Sequence, residues 1–287
     1  LLQKGKLLAQ LGNYKDAILA YDKALKIRPN DADILFNKGI SLYHLGKLND
    51  ANLIYENILK INPQHSQTLF HKGNLSLSLG KYKETITYYN KALELNPTYF
   101  DALLQKGKLL AQLGNYKDAI LAYDKALKIR PNDADILFNK GKLFTTISNY
   151  EDALKCFNIL LLNNPNDHDV LFSKASILEK LGSNQNAHTI YDKILQSNPR
   201  HTLSQLQKGI LLANQKKYSD AMLCFDIILE NSPRHILALY HKAIVLQNMG
   251  LLGDSILYFD QILSINPNHE TALYQKGVTL IKISRIL

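Results

Sequence analysis

Apolar residues recur along the chain at the spacing of amphipathic helices. In residues 32–65, one apolar set includes Leu35 and Leu42 and a second includes Tyr55 and Ile58. Residues three or four places apart lie on one face of an α-helix, so each unit of this kind predicts two short helices. Two such helices cannot bury their apolar faces alone, and each unit must therefore stack on its neighbours. The pattern predicts an all-α protein built from stacked helix pairs.

The period of the stack is set by proline. A proline recurs every 34 residues from Pro29 to Pro267 without an insertion, and a period of this length is typical of a solenoid. We number the positions of a repeat so that proline is position 32. The prediction is then a single solenoid over residues 1–287, with repeats at 1–31, 32–65, 66–99, 100–133, 134–167, 168–201, 202–235, 236–269 and a partial repeat at 270–287.

Small and aromatic residues keep fixed positions within the repeat. Position 8 is glycine or alanine, as in Gly39 and Ala175, and position 24 is aromatic, as in Tyr55 and Phe157. With the small residue at position 20 and the proline, this pattern resembles the tetratricopeptide repeat over the whole chain. The resemblance implies a right-handed superhelical α-solenoid of antiparallel helix pairs, whose concave face is lined by the first helix of each repeat. Lysine at position 7, where the family usually has leucine, is a departure that leaves the architecture unchanged.

Glycine at position 15 predicts where each first helix ends. Gly46 is an example, because a helix commonly closes with a residue in the left-handed conformation that glycine adopts without strain. Ser148 and Lys216 occupy the same position in their repeats. We expect those two turns to be less well held.

The positive charge of the chain follows one repeat position. The formal net charge is +9, and position 7 carries a lysine in all nine first helices, from Lys4 to Lys276. This position points away from the face implied to be concave. We therefore predict that several of these lysines pair with acids at position 25, such as Asp22 and Asp124, within about 4 Å.

The face implied to be concave supplies the candidate binding residues. Position 5 carries a row of rings and position 6 a row of amides and histidines, which suit the side chains and backbone of a bound peptide. Toward the C-terminal end the same face becomes apolar, as expected for an interaction site. The predicted groove residues are Phe36, Asn37, Phe70, His71, Asn74, Lys108, Phe138, Asn139, Lys142, Phe172, Leu203, Ile210, Leu237, Tyr240, His241, Ile244, Tyr274 and Val278.

Acidic and basic side chains balance on this face, which argues against nucleic acid and favours a protein or peptide partner. We find no phosphate-binding loop, no metal-binding helix motif and no paired-cysteine motif, so the prediction is a non-catalytic interaction scaffold without a cofactor or a metal. Two alternatives stay open. The first is that the chain is the substrate-recognition repeat region of a larger enzyme, such as a transferase. The second is that it is a self-associating or designed array.

Two features bear on origin and location. Residues 1–39 are identical to residues 103–141, which indicates a recent duplication or an engineered chain. The chain begins inside one repeat and ends inside another, so we expect it to be part of a longer protein. The two cysteines and the lack of a long apolar segment predict a cytoplasmic protein without a membrane span.

Overall fold

The fold is an all-α solenoid of antiparallel helix pairs. A computed structural model describes residues 1–285, and no strand occurs in that range. The seventeen helices of these residues are α1 (Leu2–Gln10), α2 (Tyr14–Ile27), α3 (Ala32–His44), α4 (Leu48–Ile61), α5 (Ser66–Ser78), α6 (Tyr82–Leu95), α7 (Phe100–Gln112), α8 (Tyr116–Ile129), α9 (Ala134–Thr146), α10 (Tyr150–Asn163), α11 (His168–Lys180), α12 (Asn184–Ser197), α13 (Thr202–Asn214), α14 (Tyr218–Asn231), α15 (Ile236–Asn248), α16 (Leu252–Ile265) and α17 (Glu270–Ser284). Odd-numbered helices are the first helices of the predicted repeats, and even-numbered helices are the second helices.

The helices form two compact units, Leu1–Leu143 and Phe144–Leu287. In the first unit, α3 contacts both α1 and α5, so successive first helices lie side by side. In the second unit, α13 contacts α15 in the same way. The first helices α1, α3 and α5 therefore lie side by side in the first unit, as α13 and α15 do in the second. A single solenoid over the whole chain stays a prediction.

The core of each repeat is a ring packed against a small residue. Tyr55 is fully buried, and a Cβ built on Gly39 would lie 2.6 Å from its Cε1 atom. Real Cβ atoms do not approach a ring carbon that closely, so glycine at position 8 provides the space that the ring at position 24 fills. Ala51 at position 20 is also fully buried. The sequence pattern thus marks the contact that holds the two helices of a repeat together.

The turns between paired helices follow the predicted pattern. Gly46 has φ +74°, and Ser148 and Lys216 have φ +60° and +63° at the same repeat position. For a residue with a Cβ, this left-handed conformation costs about 1–2 kcal/mol. Ser148 and Lys216 therefore carry a strain that glycine avoids, and the expectation that these two turns are less well held stays a prediction.

We predict that Lys216→Gly raises the free energy of unfolding by about 1 kcal/mol, because glycine removes the left-handed strain. The matched control is Lys217→Gly, which removes the same charge from a residue with φ −84°. Urea unfolding followed by circular dichroism measures both. An equal or smaller gain for Lys216→Gly than for Lys217→Gly would show that the turn carries no strain.

In most repeats, the side chain of the residue that precedes the first helix caps that helix. Asp31 accepts a hydrogen bond from the Ile34 amide at 3.1 Å, and the Nδ1 atom of His65 accepts one from the Thr68 amide at 3.1 Å. His201, His235 and His269 cap α13, α15 and α17 in the same way. These histidines at position 34 are therefore structural, since an N-cap satisfies an amide that has no partner within its helix.

Candidate functional site

Most of the position 7 lysines link the second helix of one repeat to the first helix of the next. Six of them pair with the acid sixteen residues earlier: Lys38 with Asp22, Lys72 with Glu56, Lys140 with Asp124, Lys208 with Asp192, Lys242 with Asp226 and Lys276 with Asp260. The Lys140 Nζ to Asp124 Oδ1 distance is 2.5 Å, and the Lys72 Nζ to Glu56 Oε1 distance is 3.1 Å. We call the position 7 lysines the lysine ladder. The predicted pairing with position 25 acids is confirmed for six of them, so most of the lysines on which the net charge depends are neutralised within the fold.

In the first unit, the predicted groove residues of α5 belong largely to the protein core. Phe70 is only 6% exposed, and its ring centroid lies 5.7 Å from that of Tyr89. Asn74 accepts a hydrogen bond of 2.6 Å from the Tyr89 hydroxyl. These two side chains hold α5 against α6 and offer little to a ligand.

His71 lies among rings rather than in an open groove. Its ring centroid is 5.2 Å from that of Phe36 and 5.3 Å from that of Phe70. Burial, assisted by the electrostatic effect of the nearby His44, lowers the pKa of His71 to about 4. The imidazole is therefore neutral at pH 7 and packs as part of the aromatic layer between α3 and α5.

The remaining predicted residues of the first unit lie along α3, α7 and α9. The amides of Asn37 and Asn139 donate hydrogen bonds of 2.6 Å to the carbonyl oxygens of Asp33 and Asp135, so the two identical segments hold their amides alike. The other three candidates also have partners within the unit: Lys108 Nζ lies 4.0 Å from Asp135 Oδ2, and Lys142 Nζ lies 5.5 Å from the centre of the Phe138 ring.

In the second unit, the predicted groove residues fall into a half-buried group and an exposed group. Phe172, Ile210, Tyr240, His241, Ile244 and Val278 are half-buried. The ring of Tyr240 lies 6.2 Å from the fully buried ring of Phe259, so Tyr240 supports the core of its own repeat. Burial lowers the pKa of His241, whose ring stacks 6.0 Å from that of Phe225. We call the surface formed by the first helices the first-helix face, and these half-buried residues form its base.

Three predicted residues of the second unit are well exposed and apolar. Leu203 on α13 is 54% exposed, Leu237 on α15 is 53% exposed, and Tyr274 on α17 is 69% exposed. Ile281, about two turns after Tyr274 along α17, is 54% exposed. Leu203 and Leu237 occupy the same repeat position on adjacent first helices. We call Leu203, Leu237, Tyr274 and Ile281 the apolar strip.

No metal-binding cluster accompanies these surfaces. Within residues 1–285, no group of three or more His, Cys, Asp or Glu residues is arranged to hold a metal ion. Both cysteines, Cys156 and Cys224, are buried. No helix in the same range has the length and apolar character needed to cross a membrane.

Models of the tetratricopeptide repeat match most of the chain. A TPR repeat model matches residues 5–46 and 107–148, and models described as tetratricopeptide repeat match residues 66–99, 88–120, 138–202 and 236–269. No curated protein matches the sequence.

Solved structures of similar fold come from several repeat proteins. A tetratricopeptide repeat protein from Parabacteroides merdae is 19% identical, with a TM-score of 0.61 over 87% of this chain and 98% of that one. The C-terminal part of a TPR repeat-containing protein from Cytophaga hutchinsonii is 18% identical, with a TM-score of 0.61 over 95% of this chain and 98% of that one. YrrB, described as a TPR protein with an unusual peptide-binding site, is 23% identical, with a TM-score of 0.53 over 66% of this chain and 97% of that one. At these identities, the similarity shows the fold alone.

Proposed function

Because this chain belongs to the tetratricopeptide repeat family, we propose that it is a non-catalytic scaffold whose first-helix face binds a peptide, helix or partner domain. The observation that carries the proposal is the apolar strip of the second unit. Its four side chains are each more than half exposed, although burying one such side chain contributes about 1.5–3 kcal/mol. A partner that covers the strip recovers this free energy.

The chemistry of the strip defines the partner segment. The strip consists of aliphatic side chains and one phenol, without a charged group among them, so it suits an amphipathic helix or an extended segment with apolar side chains. On the same first helices as Leu203 and Leu237, the half-buried Tyr240, Ile244 and Ile210 pack onto the repeat cores. They form a fixed base, so binding does not require this face to become ordered first.

The first unit contributes less to apolar binding under this proposal. Phe70, His71 and Asn74 are committed to internal contacts. Lys108, Asp135 and Asn139 are polar and lie at or near the surface, so the first unit offers polar rather than apolar contacts. YrrB, which is described as having a peptide-binding site, supports a peptide partner in general without identifying one.

The proposal is tested by photo-cross-linking followed by affinity measurement. A benzoylphenylalanine placed at residue 237 captures the bound segment, and the same group at residue 223 is the control. Leu223 lies on the second helix α14 and is 62% exposed, compared with 53% for Leu237. We expect a segment that cross-links at residue 237 and not at residue 223.

The segment so identified is then titrated against a variant carrying Leu203→Ser, Leu237→Ser and Tyr274→Ser. We expect its affinity to fall at least about tenfold, which corresponds to 1.4 kcal/mol. The matched control carries Leu223→Ser and Leu257→Ser, on second helices with similar exposure. Equal losses for the two variants would contradict a binding site on the first-helix face.

A further inference from the structure

The lysine ladder is interrupted at the boundary between α6 and α7. The lysine there is Lys106, and the residue sixteen places earlier is Asn90 rather than an acid. Among residues 1–285, no carboxylate lies within 4.0 Å of the Lys106 ammonium, whereas six other ladder lysines have such a partner. The other ladder lysine preceded by asparagine, Lys174, donates a hydrogen bond of 2.8 Å to Asn158.

A cavity opens at this interruption. It has a volume of about 760 Å³ and is lined by residues of α6, α7 and α8, among them Asn90 and Lys106. The groove at the next boundary has a volume of about 570 Å³ and contains both members of the Asp124–Lys140 ion pair. The cavity at α6–α7 is thus larger, and it has Asn90 at the position where its neighbour has the carboxylate of Asp124.

The walls of the cavity combine aliphatic and cationic groups. Ile86, Leu93, Leu103, Leu110 and Leu121 supply apolar surface. Lys125 and Lys128 join Lys106, against the two acids Glu94 and Asp118. Counting these five charged side chains gives three positive and two negative charges, so the cavity carries an excess of one positive charge.

The local electrostatics leave the Lys106 ammonium poorly compensated. Burial and the nearby charge of Lys125 lower the pKa of Lys106, and Asp118 opposes them only in part. A partly buried ammonium without a counter-ion gains free energy when a carboxylate approaches it. The cavity is therefore complementary to one negative charge on an aliphatic carrier.

We propose that this cavity binds an aspartate or glutamate side chain of a partner protein segment, with its carboxylate on Lys106 and neighbouring aliphatic side chains against Leu93, Leu110 and Leu121. The six complete ion pairs support a protein carboxylate, because in each of them the lysine takes the carboxylate of an Asp or Glu side chain from an adjacent helix. Lys125 and Lys128 attract an acidic segment to the same opening. This site lies on the second-helix side of the first unit and is separate from the apolar strip.

The test uses a substitution that restores the missing acid. In Asn90→Asp the protein supplies its own carboxylate to Lys106, in the arrangement that Asp124 and Lys140 already show. The matched control is Asn158→Asp, which makes the same change in charge at the same repeat position beside Lys174. Circular dichroism confirms that each variant retains its helix content.

The probe is a fluorescein-labelled hexapeptide of alternating leucine and aspartate, titrated into the full chain and followed by fluorescence anisotropy. We expect Asn90→Asp and Lys106→Met each to weaken binding at least tenfold, and Asn158→Asp to leave it unchanged. Equal affinities for Asn90→Asp and Asn158→Asp would overturn the proposal, as would equal binding of a peptide with asparagine in place of aspartate. Octanoate displacing the peptide at the same concentration as unlabelled peptide would overturn the assignment of a protein segment. If Asn90→Asp and Lys106→Met lose the peptide but still permit cross-linking of the partner segment at residue 237, the cavity is a site separate from the apolar strip.

Discussion

Replacing Gly107 with leucine is expected to lower the free energy of unfolding by about 3 kcal/mol. A Cβ on this residue would lie 2.5 Å from Cε1 of Tyr123, whose ring is 1% exposed and packed against Ala119 and Ala126. The ring has no free volume into which to move, so the added side chain must separate α7 from α8. Urea unfolding followed by circular dichroism at 222 nm measures the loss.

Gly277→Leu is the matched control for this prediction. Gly277 occupies the same repeat position on α17, but within residues 1–285 nothing beyond its chain neighbours and its own helix backbone lies within 4 Å of a Cβ built there. Leucine is the better helix former, so we expect Gly277→Leu to be neutral or to stabilise by up to about 1 kcal/mol. Comparable losses for both variants would mean that the ring contact does not explain the glycine at position 8.

The second large effect is expected on acidification. His71 has a folded-state pKa of about 4, whereas an unfolded histidine has a pKa of about 6.5. Since the unfolded chain binds the proton more readily, stability is highest above about pH 6.5 and falls as the pH drops from there toward 4. The contribution of His71 to this loss is about 3 kcal/mol, and the lowered pKa values of His201 and His241 act in the same direction.

Urea unfolding at pH 7.5, 5.5 and 4.5 measures the pH dependence. His71→Phe keeps a ring among Phe36, Tyr55 and Phe70 but cannot be protonated. We expect it to flatten the decline in stability between pH 6.5 and 4. His188→Asn is the control, because His188 lies on α12 and pairs with Asp192 at 3.1 Å, away from the aromatic layer. An unchanged decline in His71→Phe would show that another group drives acid unfolding.

The repeat architecture was predictable because its signals are local and recur. Glycine against Tyr55, proline after each second helix and the left-handed turns at Ser148 and Lys216 are each set by residues within one repeat. The ladder was also predictable, because stacking brings position 7 of one repeat toward position 25 of the repeat before it.

Burial was harder to predict, because it depends on the neighbouring repeat. Leu7 and Leu109 lie in identical segments, yet Leu7 is 59% exposed and Leu109 is 2% exposed. Helical periodicity gives the direction of a side chain, but depth depends on what stacks against it. For the same reason, the predicted groove residues included Phe70 and His71, which the adjoining rings largely cover.

The capping histidines had a usable signal that sequence reasoning missed. Aspartate occupies position 34 in three repeats, as in Asp31 and Asp167, and aspartate is a preferred N-cap. Histidine at the same position accepts the same amide hydrogen bond through Nδ1. The shared repeat position therefore predicts the same capping role for these histidines.

The missing carboxylate at Asn90 also has a mechanical consequence. Each complete ion pair joins the second helix of one repeat to the first helix of the next, and therefore couples neighbours rather than partners within a pair. Between α6 and α7 this ion pair is absent, so we expect this boundary to separate at a lower force or a lower denaturant concentration than boundaries that have the ion pair. A carboxylate supplied by a partner would restore the ion pair and make the repeats on the two sides unfold together.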